Sequence, residues 1–178
     1  MTASIVACGQ SAKGWHKVPH DFSVGVNDSA MFGKDPDHLV IVNFERKLHE
    51  ERLKVIKGTN SKVWTHTHTW KKHFPDARVI KLSPFSGYFR KGMYYCLRTS
   101  PIVAMSVAVN LGADKLILWG VDFKNHRSFV QGEKRGDHET REYLRFFEAL
   151  KKIGVEVYLG ASGTAFDKHL PIYESVTV

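Results

Sequence analysis

Seven short, unbroken apolar runs constrain this chain more than any other feature: Ser4–Gly9, Phe22–Asn27, His38–Asn43, Lys62–Thr65, Ala77–Leu82, Lys115–Gly120 and Val155–Leu159. Continuous rather than alternating hydrophobicity marks strands covered on both faces, the pattern of a parallel sheet. Three segments with helical spacing lie among them. Phe44–Lys57 sets Phe44, Leu48, Val55 and Ile56 among charges and stops at Gly58. Ser100–Leu111 opens with Ser100-Pro101, a capping residue followed by proline, stays small and apolar to Asn110, and breaks at Gly112. Asp137–Ile153 opens on an acid, carries Tyr143, Leu144, Phe147 and Leu150, and ends in Lys151-Lys152 before Gly154.

Strands alternating with helices predict a doubly wound α/β fold, Rossmann-like, with a mostly parallel sheet of six or seven strands and helices on both faces. The chain of 178 residues suits a single domain spanning 1–178. Its irregular pieces are expected at 83–98 and 121–136, near the ligand edge. Ligands of open parallel sheets bind outside the carboxyl ends of the strands, so the residues that follow each strand carry the argument.

Composition narrows the partners. No apolar run approaches the ~20 residues of a membrane helix. The opening MTASIVACGQ lacks the basic region and long apolar core of a signal peptide. Cys8 and Cys96 cannot build a disulfide framework, so a cytoplasmic location is expected. The net charge is +8, and most of it comes from Lys71, Lys72, Arg78, Lys81, Arg90, Lys91 and Arg98, opposed in that stretch by Asp76 alone. Such a stretch is either a solvated basic face or a surface for an anionic partner, nucleic acid included.

At the strand ends, Gly9-Gln10-Ser11 forms a glycine-bearing turn whose amides can face a phosphate, or simply a tight connection. It is neither a Walker A loop nor a GxGxxG fingerprint. Asn27 and Asn43 close the second and third runs, and a carboxamide there can hold a base edge, ribose or phosphate, or cap the next helix. Thr99 and Ser100 sit at the start of the small-residue helix behind Arg98, an anion site or an ordinary cap. Asp122 follows the strongest strand and can take a ribose or metal, or satisfy loop amides. His138 begins the last long helix, where a neutral imidazole can act as a general base. His66 and His68 with His73 lack a companion acid or cysteine, so no metal site is expected.

The pieces Ile5-Val-Ala-Cys-Gly-Gln-Ser11, Phe22–Asn27, Val40–Asn43, Thr99–Gly112 and Asp114–Phe123 follow one another in an order that resembles the bacterial sialyltransferases of glycosyltransferase family 42. That family belongs to a wider Rossmann-like group with archaeal 6-hydroxymethylpterin diphosphokinase-like proteins and flagellin-glycosylation accessory proteins. Its motifs are a Thr-Ser-Gly opening a small-residue helix that ends in Leu-Gly, then a strand closing in Gly-Ile-Asp-Phe. The resemblance implies that Gly9, Gln10 and Ser11, with Asn27 and Asn43, hold the nucleotide of a CMP-sugar. It places Ser100 against the donor phosphate or sugar carboxylate, and implies that His138 deprotonates the acceptor hydroxyl without a required metal or cofactor.

Three motifs depart from the family's pattern. Ala7-Cys8-Gly9 stands where the family has Gly-Asn-Gly, and Pro101 replaces the glycine of Thr-Ser-Gly. Lys124, His126 and Arg127 stand where the family has phosphate-binding tyrosines. The expected function is therefore glycosyl transfer from a nucleotide sugar to an acceptor glycan or small molecule. The alternatives are a nucleotide- or nucleic-acid-binding module that uses residues 71–98, and a pterin diphosphokinase-like phosphotransferase that needs Mg²⁺ and ATP.

Overall fold

The computed structural model of the protein describes residues 1–97, 99–122 and 136–174. All seven apolar runs form strands, and these pair into one wholly parallel sheet. In chain order the strands are β1 (Thr2–Val6), β2 (Phe22–Val26), β3 (His38–Ile41), β4 (Lys62–Thr65), β5 (Arg78–Val79), β6 (Leu82–Pro84), β7 (Tyr94–Cys96), β8 (Lys115–Trp119) and β9 (Glu156–Leu159). The α-helices are α1 (Glu50–Lys57), α2 (Ser100–Asn110) and α3 (Gly136–Lys151). The large sheet runs β5-β4-β3-β2-β1-β8-β9, with β6 and β7 forming a separate parallel pair.

Alternate residues of each strand serve opposite layers, as the period-2 geometry requires. Ala3, Ile5, Val24, Val26, Val40, Leu116 and Leu118 share a core with α2 and α3. On the other face, Leu39, Ile41 and Val63 pack with Leu48, Ile56 and Trp70, while Val6, Ile117 and Trp119 pack with Trp15. Both faces are covered, which is why the runs are continuously apolar. The residues of α2 are buried almost all round its circumference, as a small, uniformly apolar helix must be. In contrast, α3 is amphipathic: Tyr143, Phe146, Phe147 and Leu150 face inward, and His138, Arg141, Arg145 and Glu148 form its exposed stripe.

Three expectations need correction. The predicted helix over Phe44–Lys57 is a 3₁₀ turn at Glu45–Lys47, an extended Leu48–His49, and only then α1. Tertiary anchors override the helical spacing: Leu48 is drawn into the core, and Glu45 is gripped by Lys57, Lys72 and His73. The cap of α2 is Thr99 rather than Ser100, and its hydroxyl bonds Tyr143 instead of a helix amide. Finally, the fifth run is short in the sheet because β4 ends at Thr65, whose carbonyl takes the Ile80 amide. The chain then leaves to form β6 and β7, so 83–98 is not wholly irregular. Of the expected irregular segment 121–136, residues 123–135 lie outside the described residues, as does Arg98.

Two outcomes follow for stability. Met105 is fully buried at the centre of α2, so Met105→Ala should cost about 2–5 kcal/mol, read as a lower urea midpoint with unchanged slope. Glu45 has its carboxyl lowered from 4.5 to about 2 by hydrogen bonds from Lys57 and then Lys72. A depressed carboxylate stabilises fully above its unfolded value, and the contribution fades as pH falls toward 2. Urea unfolding of wild type and Glu45→Gln should therefore differ at pH 5 and converge near pH 2.

Candidate functional site

The order of strands reverses at β1. From β2 the chain winds outward through β3, β4 and β5, whereas β8 and β9 lie on the other side of β1. A crevice opens at the carboxyl ends of the strands at such a switch point. The turn Gly9-Gln10-Ser11 leaves β1 there, facing Gly120 and Asp122 after β8.

Asp122 is 7% exposed, and its two oxygens are spent on this turn. Oδ2 accepts the Ser11 N–H at 3.0 Å, and Oδ1 accepts the Ser11 hydroxyl. The Ser11 oxygen in turn accepts the Gly120 N–H at 3.0 Å, and the Gly9 N–H donates to the Gly120 carbonyl at 2.9 Å. A side chain at position 9 would put Cβ 2.5 Å from both Asp122 Oδ2 and the Gly120 oxygen, so glycine is required. The amides of Gly9, Ser11 and Ala12 are thus already bonded, leaving that of exposed Gln10 to face a ligand. Asp122 acts here as the clamp that holds the turn.

Asn27 adopts φ +48°, a left-handed conformation that Asn tolerates better than most residues. Its Nδ2 donates to Ser100 Oγ at 3.2 Å, joining the end of β2 to the first residue of α2. Its Oδ1 is buried with no hydrogen-bond partner among the described residues. Such an orphan acceptor beside a helix N-terminus is a place for a ligand's donor. The structure therefore brings together the turn with Asp122, and Asn27 with Ser100. Asn43 lies farther along the same edge: its carbonyl accepts the Trp70 indole N–H at 2.9 Å, and its carboxamide makes no hydrogen bond among the described residues.

Thr99 Oγ1 and Tyr143 Oη are 2.6 Å apart, tying α2 to α3, and burial raises the Tyr143 phenol well above its ordinary range. His138 is exposed on the outward stripe of α3. No hydrogen bond among the described residues links it to Asn27 or Ser100. Glu139, its neighbour, lies one turn before Tyr143 on the inward stripe, and its Oε2 is buried without a hydrogen-bond partner among the described residues. Sequence reading passed over Glu139; the spacing Glu139–Tyr143–Phe146–Leu150 was the available signal.

A second cluster was also missed. Asp28 Oδ1 accepts from Arg52 Nε at 2.9 Å, from Arg52 Nη2 at 2.5 Å and from the Cys8 thiol at 3.4 Å. Burial, reinforced by the Asp28 charge, pushes the Cys8 thiol far above its usual range, so it stays protonated. No one-dimensional pattern pairs residues 24 positions apart. The basic stretch is exposed in pieces: Lys71 and Lys72 after β4, Arg78 on β5, Lys81 beyond it, and Arg90 and Lys91 between β6 and β7.

Comparison with known proteins now adds the fold. No protein-family model matches the sequence, and no curated protein does. Among solved structures, sialyltransferase CstII from Campylobacter jejuni in complex with the substrate analogue CMP-3FNeuAc superposes with TM-score 0.61 at 14% identity, over 98% of this chain and 86% of that one. This chain carries the fold of the Campylobacter sialyltransferases. A CST-II complex with trisaccharide acceptor and CMP matches over 100% of this chain and 88% of that one, with TM-score 0.61 and 15% identity. The monofunctional α-2,3-sialyltransferase Cst-I from the same organism gives TM-score 0.60 at 18% identity, covering 100% and 82%. Among the described residues, no helix of this sialyltransferase-like fold is long and apolar enough to cross a membrane.

The clamp predicts its own mutant. Asp122→Ala would leave the half-buried Ser11 amide and hydroxyl without their acceptor, at a cost of about 1 kcal/mol. Hydrogen exchange of the Ser11 amide should quicken in that variant while exchange of the β2 and β3 amides is little changed.

Proposed function

We propose that this chain is a glycosyltransferase that takes a sugar from a nucleotide-sugar donor of CMP type and attaches it to an acceptor hydroxyl. The observation that carries the reading is the Asn27–Ser100 bridge, with its unpartnered Asn27 oxygen, at the helix N-terminus in the switch-point crevice. The start of α2 offers amides and a favourable dipole to a phosphate. The orphan oxygen accepts a donor-side hydroxyl or amino group, Gln10 supplies a further amide, and Asn43 extends the site toward the base. The likeness of fold to proteins solved with CMP, a CMP-sugar analogue and a trisaccharide supports the same assignment.

In the proposed reaction the acceptor oxygen attacks the anomeric carbon as its O–H bond breaks. The bond from that carbon to the phosphate oxygen breaks, and its electron pair leaves with the nucleotide. His138 takes the acceptor's proton from the solvent side of α3, without a metal or cofactor. The buried, unpaired oxygen of Glu139 favours a second reading, in which the carboxylate is the proton acceptor.

Transfer kinetics with a CMP-sugar decide between them. His138→Ala should cut turnover ~10²–10⁴-fold with CMP affinity nearly intact; if Glu139→Gln does so instead, the base is Glu139. Asn27→Gly keeps the backbone angle and removes the side chain, so CMP binding should weaken by about 0.5–1.5 kcal/mol. Salt separates the crevice from the basic stretch 71–98: binding of nucleic acid through several phosphates falls steeply with ionic strength, while one nucleotide in a pocket is far less sensitive.

A further inference from the structure

A groove of about 590 Å³ lies at the amino ends of β3 and β4, on the opposite edge of the sheet from the crevice. Its volume is in the range of small-molecule sites. One wall is apolar, built from Leu111 on the α2 face of the sheet, whereas Val63 and Phe74 reach the groove from the opposite face of β4. The other is Trp64, 5% exposed, with the Arg78 guanidinium stacked on its ring, Cζ 4.7 Å from the centroid.

Stacking holds this guanidinium in place while leaving its donors unspent, since Arg78 makes no hydrogen bond or ion pair among the described residues. The planar fork of Arg matches a carboxylate or phosphate in a way that a lone ammonium does not. Two further groups point to the same chemistry. The Trp64 indole N–H donates to His38 Nδ1 at 3.1 Å, which places the proton of the neutral imidazole on Nε2, so His38 lines the groove as a donor. Burial, then the charge of Lys62, lowers the His38 pKa and keeps the ring in that form. Lys62 is exposed and unpaired among the described residues. Asp76 is the one acidic side chain on the rim. A surface with three unspent donors and an apolar wall selects an anion attached to a body with an apolar face.

We propose that this groove is a second ligand site, separate from the crevice, which binds a sugar-sized molecule bearing one carboxylate or phosphate through the stacked Arg78 fork, with its apolar face against Leu111. The site owes nothing to the glycosyltransferase reading and stands or falls on its own.

The test follows the Trp64 indole N–H resonance of the whole protein during titration with glucuronic acid, glucose 6-phosphate, inorganic phosphate and neutral glucose. Glucuronic acid and glucose 6-phosphate, or one of them, should give a saturable shift, and which one does identifies the anion. Inorganic phosphate should bind at least several-fold more weakly than the better sugar, and glucose should give no shift. Arg78→Ala should weaken the better ligand at least tenfold, and Asp76→Asn should strengthen it. Should Arg78→Ala fail to fold, Arg78→Lys keeps the charge without the fork and should still weaken binding several-fold. The proposal is overturned by the absence of a saturable shift with either sugar anion, by an equal response to glucose or to phosphate alone, or by unchanged affinity in the Arg78 variants.

Discussion

The hydrogen bonds between Ser11 and Asp122 join the turn after β1 to the loop after β8, where the sheet reverses direction. They act across the one place in a parallel sheet where neighbouring connections diverge and leave a cleft. Without them the turn would have free amides but no fixed shape. With them the carboxylate is used up structurally, and the proposed function assigns ligand recognition to groups next to the clamp. Gly9 follows from the same constraint, because any side chain there would occupy the space that Asp122 fills.

The second element of the site depends on the core rather than on the loop. The small side chains of α2 let it lie directly on β1, β2 and β3, and this close packing brings Ser100 to Asn27. The Thr99–Tyr143 bond then sets the middle of α3 against the start of α2. One buried helix therefore supplies stability, the helix N-terminus that the proposed function assigns to an anion, and an anchor for the middle of α3. Substitutions that thin α2 are expected to be felt in both stability and ligand binding.

Much of the architecture was legible because parallel strands covered on both faces leave continuous apolar runs, and glycines such as Gly58 and Gly154 punctuate the helices between them. Gly9, Ser11, Asn27, Ser100 and Asp122 were legible as a set because topology alone places strand ends at one edge. Their partners were not. Asn27 meets Ser100 across 73 residues and Arg52 meets Asp28 across 24, and hydropathy carries no record of such pairings. The break at Leu48–His49 was hidden for a related reason: helical spacing continues through it, and only the tertiary demand for Leu48 in the core and Glu45 among its cations ends the pattern. Likewise, sequence picked out His138 for its chemistry, while the helix face that it occupies became visible only with α3 docked. The groove beside Arg78 left a trace as basic charge, but its stacking on Trp64 did not.

In the proposed function the crevice between the ends of β1, β2 and β8 receives the nucleotide of the donor. A backbone amide chemical-shift map of the wild-type protein titrated with CMP tests it most directly. Saturable shifts concentrated at Gln10, Asn27, Ser100 and Ile102 are expected, with the Ser11 amide held on Asp122 throughout. Saturable shifts confined to the exposed basic residues between Lys71 and Lys91, or no saturable shift at the crevice, would contradict it.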